Sequence, residues 1–154
     1  MKRLVLIAVV LFAGTFLQAQ EANPNAAEMT FDESLINNRG QVQYDYGTIA
    51  QNSDGTCEFN FKNTGKEPLV LSKVRSSCGC TVPTWPRKPI MPGQEETIKV
   101  KYDTRRMGRI YKSITIYSNA KNSPVVARIT GEVVKEVQMM PEKEQAEGMP
   151  SAGK

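Results

Sequence analysis

Apolar and polar residues alternate with a period of two along most of the middle of this chain, a rhythm that suits strands and excludes amphipathic helices. In Thr56 to Lys62, Cys57, Phe59 and Phe61 share one face while Thr56, Glu58, Asn60 and Lys62 take the other, as in a half-buried strand. Thr97 to Tyr102 repeats the pattern, with Ile98, Val100 and Tyr102 set against Thr97, Lys99 and Lys101. Ile110, Ile114 and Ile116 mark a face in the next segment. Val125, Ala127 and Ile129 do so in the last, which runs toward Val134. Tyr44 to Ile49 and Leu69 to Val74 complete the main set, with a weaker candidate at Glu28 to Phe31. Turn chemistry separates the runs at Asn63-Thr64-Gly65-Lys66, at Pro92-Gly93 and at Ser118 to Ser123. About seven short strands at this spacing predict an all-β fold, an immunoglobulin-like antiparallel β-sandwich, with a small barrel as the alternative.

The two ends follow different rules. Lys2 and Arg3 precede an apolar run from Leu4 to Leu17, and Ala19 supplies a small residue for cleavage, so 1–19 reads as a secretory signal peptide. The run falls short of the roughly 20 apolar residues that span hydrocarbon, so no stable membrane span is expected after cleavage. The first cysteine is Cys57, which leaves no site for lipid attachment at the new N-terminus. A short polar lead-in, 20–26, then opens the domain at 27–134. From Lys135 the chain is polar, interrupted by proline and without apolar period, and 135–154 is expected to be a disordered tail. Removal of Lys2 and Arg3 takes the 20 basic residues to 18 against 16 acidic ones. A net charge near +2 gives no reason to expect nucleic acid or an anionic membrane as partner. The expected location is periplasmic or secreted.

Chemistry is narrowed by what the composition lacks. With three cysteines and no histidine, the chain has no imidazole base, no Cys-His or Ser-His pair and no His-containing zinc site. The thiols are the candidate site: Cys78 and Cys80, one glycine apart, and Cys57 on a core-facing strand position. Two extended residues at i and i+2 lie about 6.6 Å apart, near the upper limit for a disulfide, and Gly79 allows a turn that shortens this. A three-residue ring gains about 1.6 kcal/mol of loop entropy, whereas a Cys57 to Cys78 loop gains about 3.4. Pairing therefore stays open between Cys78–Cys80 and a bond from the loop to Cys57.

The runs Phe61-Lys62-Asn63-Thr64-Gly65, Ser77-Cys78-Gly79-Cys80-Thr81, Pro89-Ile90-Met91-Pro92-Gly93, Val100-Lys101-Tyr102-Asp103-Thr104 and Ile129-Thr130-Gly131-Glu132-Val133, with Gly108 and Ser118-Asn119, resemble a known family. It is the bacterial domain-of-unknown-function 1573 family, and the likeness covers about Phe31 to Val134. The resemblance implies an exported Ig-like domain, similar in architecture to major-sperm-protein and Hydin-like domains and non-enzymatic. It brings no partner or substrate with it.

Taken together, these readings describe a non-catalytic binding or scaffolding module of the cell envelope, with an envelope protein as partner and no cofactor. The expected contact surfaces are the sheet edges, through strand addition, and the Cys78 to Pro89 loop with Trp85, Arg87 and Lys88. The alternative is a thiol redox or Cu(I)-handling protein using Cys78 and Cys80. Met91 and Met107 could add a soft ligand, but are assigned to core or loop packing. Arg105, Arg106 and Arg109 read as a solvated turn, and Trp85 either displays its ring to a partner or plugs one end of the sandwich.

Overall fold

The structure, a computed structural model, describes residues 23–135. The leader at 1–19 and all of the tail beyond Lys135 lie outside the described residues. Eight strands follow in order: β1 (Met29–Phe31), β2 (Gln43–Ala50), β3 (Thr56–Asn63), β4 (Leu71–Ser76), β5 (Thr81–Thr84), β6 (Glu95–Tyr102), β7 (Gly108–Ser118) and β8 (Val125–Val134). A single 3-10 turn, Glu33–Leu35, sits between the first two.

They form two four-stranded sheets, ordered β1-β3-β6-β5 and β2-β8-β7-β4. This is the expected Ig-like sandwich, and no closed barrel forms. The buried faces are those that the alternation marked. Phe59, Ile98 and Val100 come from one sheet, and Ile110, Ile114, Ile116 and Ile129 meet them from the other.

Three details differ from the sequence reading. The pairing of β2 with β8 is parallel, whereas the other five strand pairs are antiparallel. Alternation reports which face of a strand is buried, not which direction its neighbour runs. The parallel pair needs close backbone approach where it is irregular, between Asp45 and Thr48. A Cβ on Gly131 (φ 142°) would lie 2.8 Å from the Gly47 carbonyl oxygen and 2.9 Å from Tyr46 Cβ, so only glycine fits. Second, β5 occupies part of the segment expected to be a loop, because Thr81, Val82, Pro83 and Thr84 pair with Tyr102, Lys101, Val100 and Lys99.

The third difference is Asn63, expected in a turn and found as the last residue of β3, completely buried. Its amide nitrogen donates to the carbonyls of Glu67 (2.8 Å) and Ile90 (2.9 Å), and its oxygen accepts from the backbone N–H of Gly65 (3.1 Å) and Glu28 (3.4 Å). One side chain thus ties together four backbone groups from three stretches of chain, and the Ile90 carbonyl accepts from the Leu69 N–H as well. Gly65 packs so closely there that an added Cβ would lie 2.6 Å from Ala27 Cα.

Candidate functional site

The chain crosses from one sheet to the other between β4 and β5, and Cys78-Gly79-Cys80 is that crossing. The turn brings the two Cα atoms to 5.3 Å, and the sulfurs lie at disulfide distance. Hydrogen bonds hold the crossing on both sides. Ser77 N–H donates to the Ser113 carbonyl (2.9 Å), and Ser113 N–H donates to Ser77 Oγ (3.1 Å). Ser76 Oγ donates to the Cys78 carbonyl (2.7 Å), and Asp103 N–H donates to the Cys80 carbonyl (2.9 Å). Cys78 is half-buried, Cys80 is buried, and the buried Thr81 places Oγ1 3.6 Å from one sulfur and 3.8 Å from the other.

Cys57 is not their partner. It is a buried free thiol on β3, opposite Val100 of β6. Burial pushes it up from 9.0 to about 11, against a smaller downward pull from the Tyr46 hydroxyl. Burial, and then the Cys57 thiol, raise Tyr46 as well, and its hydroxyl donates to the Gly55 carbonyl at 2.6 Å. Such a thiol is inert. In native protein at pH 8, iodoacetamide should leave Cys57 unmodified, and urea should make it reactive, as read by intact mass. Because the folded value is raised, its stabilising contribution is complete below pH 9 and is lost as pH rises toward 11. A Cys57→Ala variant should lack that slope in urea midpoints measured across the window.

Of the expected contact residues, Trp85 packs partly buried against the core and Arg87 caps it, its guanidinium 3.8 Å from the ring centroid. Arg87 and Lys88 are exposed, and the buried Trp85 Nε1 has no protein acceptor. Arg105 grips Asp103 with two bonds, Nε to Oδ1 at 2.8 Å and an Nη to Oδ2 at 3.1 Å. That grip holds the Asp103 carboxyl below its ordinary range. Met91 and Met107 stand exposed on turns rather than in the core. Among the described residues, no three Cys, Asp or Glu side chains are grouped so that they could hold a metal ion. No described helix is long and apolar enough to cross a membrane.

Strand addition meets guarded edges. β1 has three residues, and the Asn122 amide covers its free edge, accepting from Met29 N–H (3.2 Å) and donating to the Met29 carbonyl (2.7 Å). β5 carries Pro83, β4 carries Lys73, Arg75 and a bulge, and β2 is bent at Gly47. Short length, proline, charge and bulges each discourage a further strand.

A broader surface, missed in the sequence, lies on the outer face of β2, β8 and β7. It is a groove of about 760 Å³ whose floor includes Gln43, Asp45, Arg109, Tyr111, Arg128 and Thr130. Arg128 donates to the Tyr111 hydroxyl (2.8 Å), and its guanidinium lies 5.6 Å from the Tyr111 ring centroid. Gln43 donates to Thr130 Oγ1 (3.0 Å) and accepts from Asn37 (2.8 Å). Tyr111 remains 61% exposed. Only the period-two position of Tyr111, on the polar side of β7, could have signalled this face.

No curated protein matches the sequence. Solved structures share the fold. A protein of unknown function from Porphyromonas gingivalis W83 aligns with TM-score 0.59 and 17% identity, over 71% of this chain and 49% of that one. The chain thus spans about half the length of that protein. The ASH/PapD-like domain 7 of human CEP192 aligns with TM-score 0.57 and 6% identity, over 74% of this chain and 90% of that one. The Vibrio cholerae VesB protease aligns with TM-score 0.52 and 10% identity, over 68% and 32%. Identities this low speak to fold alone. Residues 38–133 match the family model described as "Protein of unknown function (DUF1573)", and the chain belongs to that family.

Proposed function

We propose that this chain is an exported, non-catalytic Ig-like binding module of the bacterial cell envelope, and that it engages an envelope protein. The observation that carries this reading is the outer face of β2, β8 and β7. There an exposed tyrosine is clamped by an arginine above a floor of side chains already bonded to one another. Tyrosine and arginine dominate the energetics of protein interfaces, and a surface ordered in advance loses little entropy on binding. The guarded edges direct contact to a face rather than to strand addition. A cysteine pair at disulfide distance, together with the apolar N-terminal run, supports an oxidising compartment outside the cytoplasm.

A photo-crosslinking amino acid at position 109, beside an intact Tyr111, tests this in cells producing the full chain. Adducts of discrete mass in the envelope fraction, lost with Arg128→Ala and kept with Cys78→Ser/Cys80→Ser, are the expected result. Equal labelling from position 99 on the opposite sheet, or processed protein confined to the cytoplasm, would refute the reading.

A further inference from the structure

The Cys78–Cys80 ring contributes little as a staple. A ring of three residues removes little loop entropy, and the four hydrogen bonds around it already hold the crossing in place. The structure around the ring leaves it open instead. Gly79 is exposed, and a Cβ there would meet nothing within 4 Å. A groove of about 740 Å³ runs along the Cys80 side of the ring, lined by Gly79, Cys80, Val82, Lys101, Asp103 and Arg105, and Cys78 lies outside it. The two residues are unequally exposed, Cys78 half-buried and Cys80 only 8% exposed. The buried Thr81 hydroxyl is within reach of both.

We propose that Cys78–Cys80 is a thiol–disulfide exchange site that takes a dithiol, with Cys78 as the attacked sulfur and Cys80 as the leaving one. A thiolate of the dithiol attacks Cys78 Sγ in line with the bond to Cys80. A new S–S bond forms to Cys78, the old one breaks, and its electron pair leaves on Cys80 Sγ. The Thr81 hydroxyl donates a hydrogen bond to that thiolate, which then takes up a proton. The second thiol of the dithiol, deprotonated, attacks its partner sulfur in the mixed disulfide, and Cys78 departs as a thiolate and is protonated. The dithiol is oxidised by two electrons and supplies both protons, and the cysteine pair is reduced. Arg105 neutralises Asp103, whose N–H donates to the Cys80 carbonyl. The exchange is stoichiometric, one dithiol per cysteine pair and no turnover, so it goes beyond the non-catalytic binding reading without contradicting it and does not depend on it.

The folded full chain is titrated with dithiothreitol, quenched in acid, alkylated and mapped by peptide mass, with near-ultraviolet circular dichroism recorded in parallel. The expected result is joint, reversible reduction of Cys78 and Cys80 with the dichroism unchanged. Thr81→Val should slow reduction roughly threefold to tenfold. With oxidised glutathione, Cys80→Ser should form a mixed disulfide at Cys78 faster than Cys78→Ser forms one at Cys80. A pair that stays oxidised where dithiothreitol fully reduces glutathione disulfide, or that opens only as the dichroism is lost, overturns the proposal. An unchanged rate in Thr81→Val, or a faster reaction at Cys80, overturns the assigned roles.

Discussion

Asn63→Ala should destabilise the domain by about 4 kcal/mol, seen as a lower urea midpoint with an unchanged slope. The change removes one small amide and takes a partner from four backbone groups: the carbonyls of Glu67 and Ile90 and the N–H groups of Gly65 and Glu28. The Asn63 side chain is wholly buried and makes all four bonds at once, so the loss exceeds that of a single hydrogen bond, although the Ile90 carbonyl keeps its bond from the Leu69 N–H. Asn63→Asp makes a sharper test. Its carboxylate can still accept from Gly65 and Glu28, but it presents a charged oxygen to two carbonyls. Burial beside those carbonyls raises that carboxyl's pKa, so the variant should regain stability as pH falls through its folded value and it becomes a donor. A loss below about 1 kcal/mol for Asn63→Ala would mean that water takes the place of the amide.

Phe59→Ala should cost a similar amount, about 4 kcal/mol, by a different route. The ring is fully buried at the centre of β3, paired across the strands with Ile98 and set edge-on to Tyr44 at 6.4 Å between centroids. Truncation leaves a cavity between two sheets whose backbones are tied by their ladders and cannot close over it. Tyr44 lies on β2, in the opposite sheet, so the pair reports contact across the sandwich. A double-mutant cycle between Phe59→Ala and Tyr44→Ala should show coupling of about 0.5–1.5 kcal/mol. Full additivity would show that the two sheets pack without that contact.

The legible part of this molecule is the part governed by side-chain period. Cys57, Phe59, Phe61, Ile98, Val100 and Ile129 face inward as alternation requires, and the sandwich follows from them. Asn63 was opaque because a polar residue followed by Thr-Gly has the composition of a turn. Only the carbonyl of Ile90 and the N–H of Glu28, distant in sequence, make it a core residue. β5 was hidden because Pro83 weakens any strand signal, although proline is tolerated at an edge. The groove on β2, β8 and β7 escaped notice for a related reason. Its residues are ordinary solvent-side positions on three separate strands, and only the sheet order β2-β8-β7 makes them adjacent. The cysteine pairing was open in the sequence because loop entropy favoured Cys57. The turn at Gly79 decides against it by bringing Cys78 and Cys80 to disulfide distance, which leaves Cys57 free.

The parallel pairing of β2 with β8 also governs when the domain can become whole. β2 has no sheet partner but β8, and Gln43 aligns with Arg128 at the far end of the domain. A chain emerging from the ribosome, or threading through a translocation pore, can form the β3–β6 and β5–β6 ladders early. It must carry Tyr44 and Tyr46 uncovered until nearly the last residue of the domain arrives. Loop-closure entropy makes such distant pairing slow, so this architecture delays completion until synthesis of the domain is almost finished. Under the proposed export, that delay would keep the chain unfolded during its passage across a membrane.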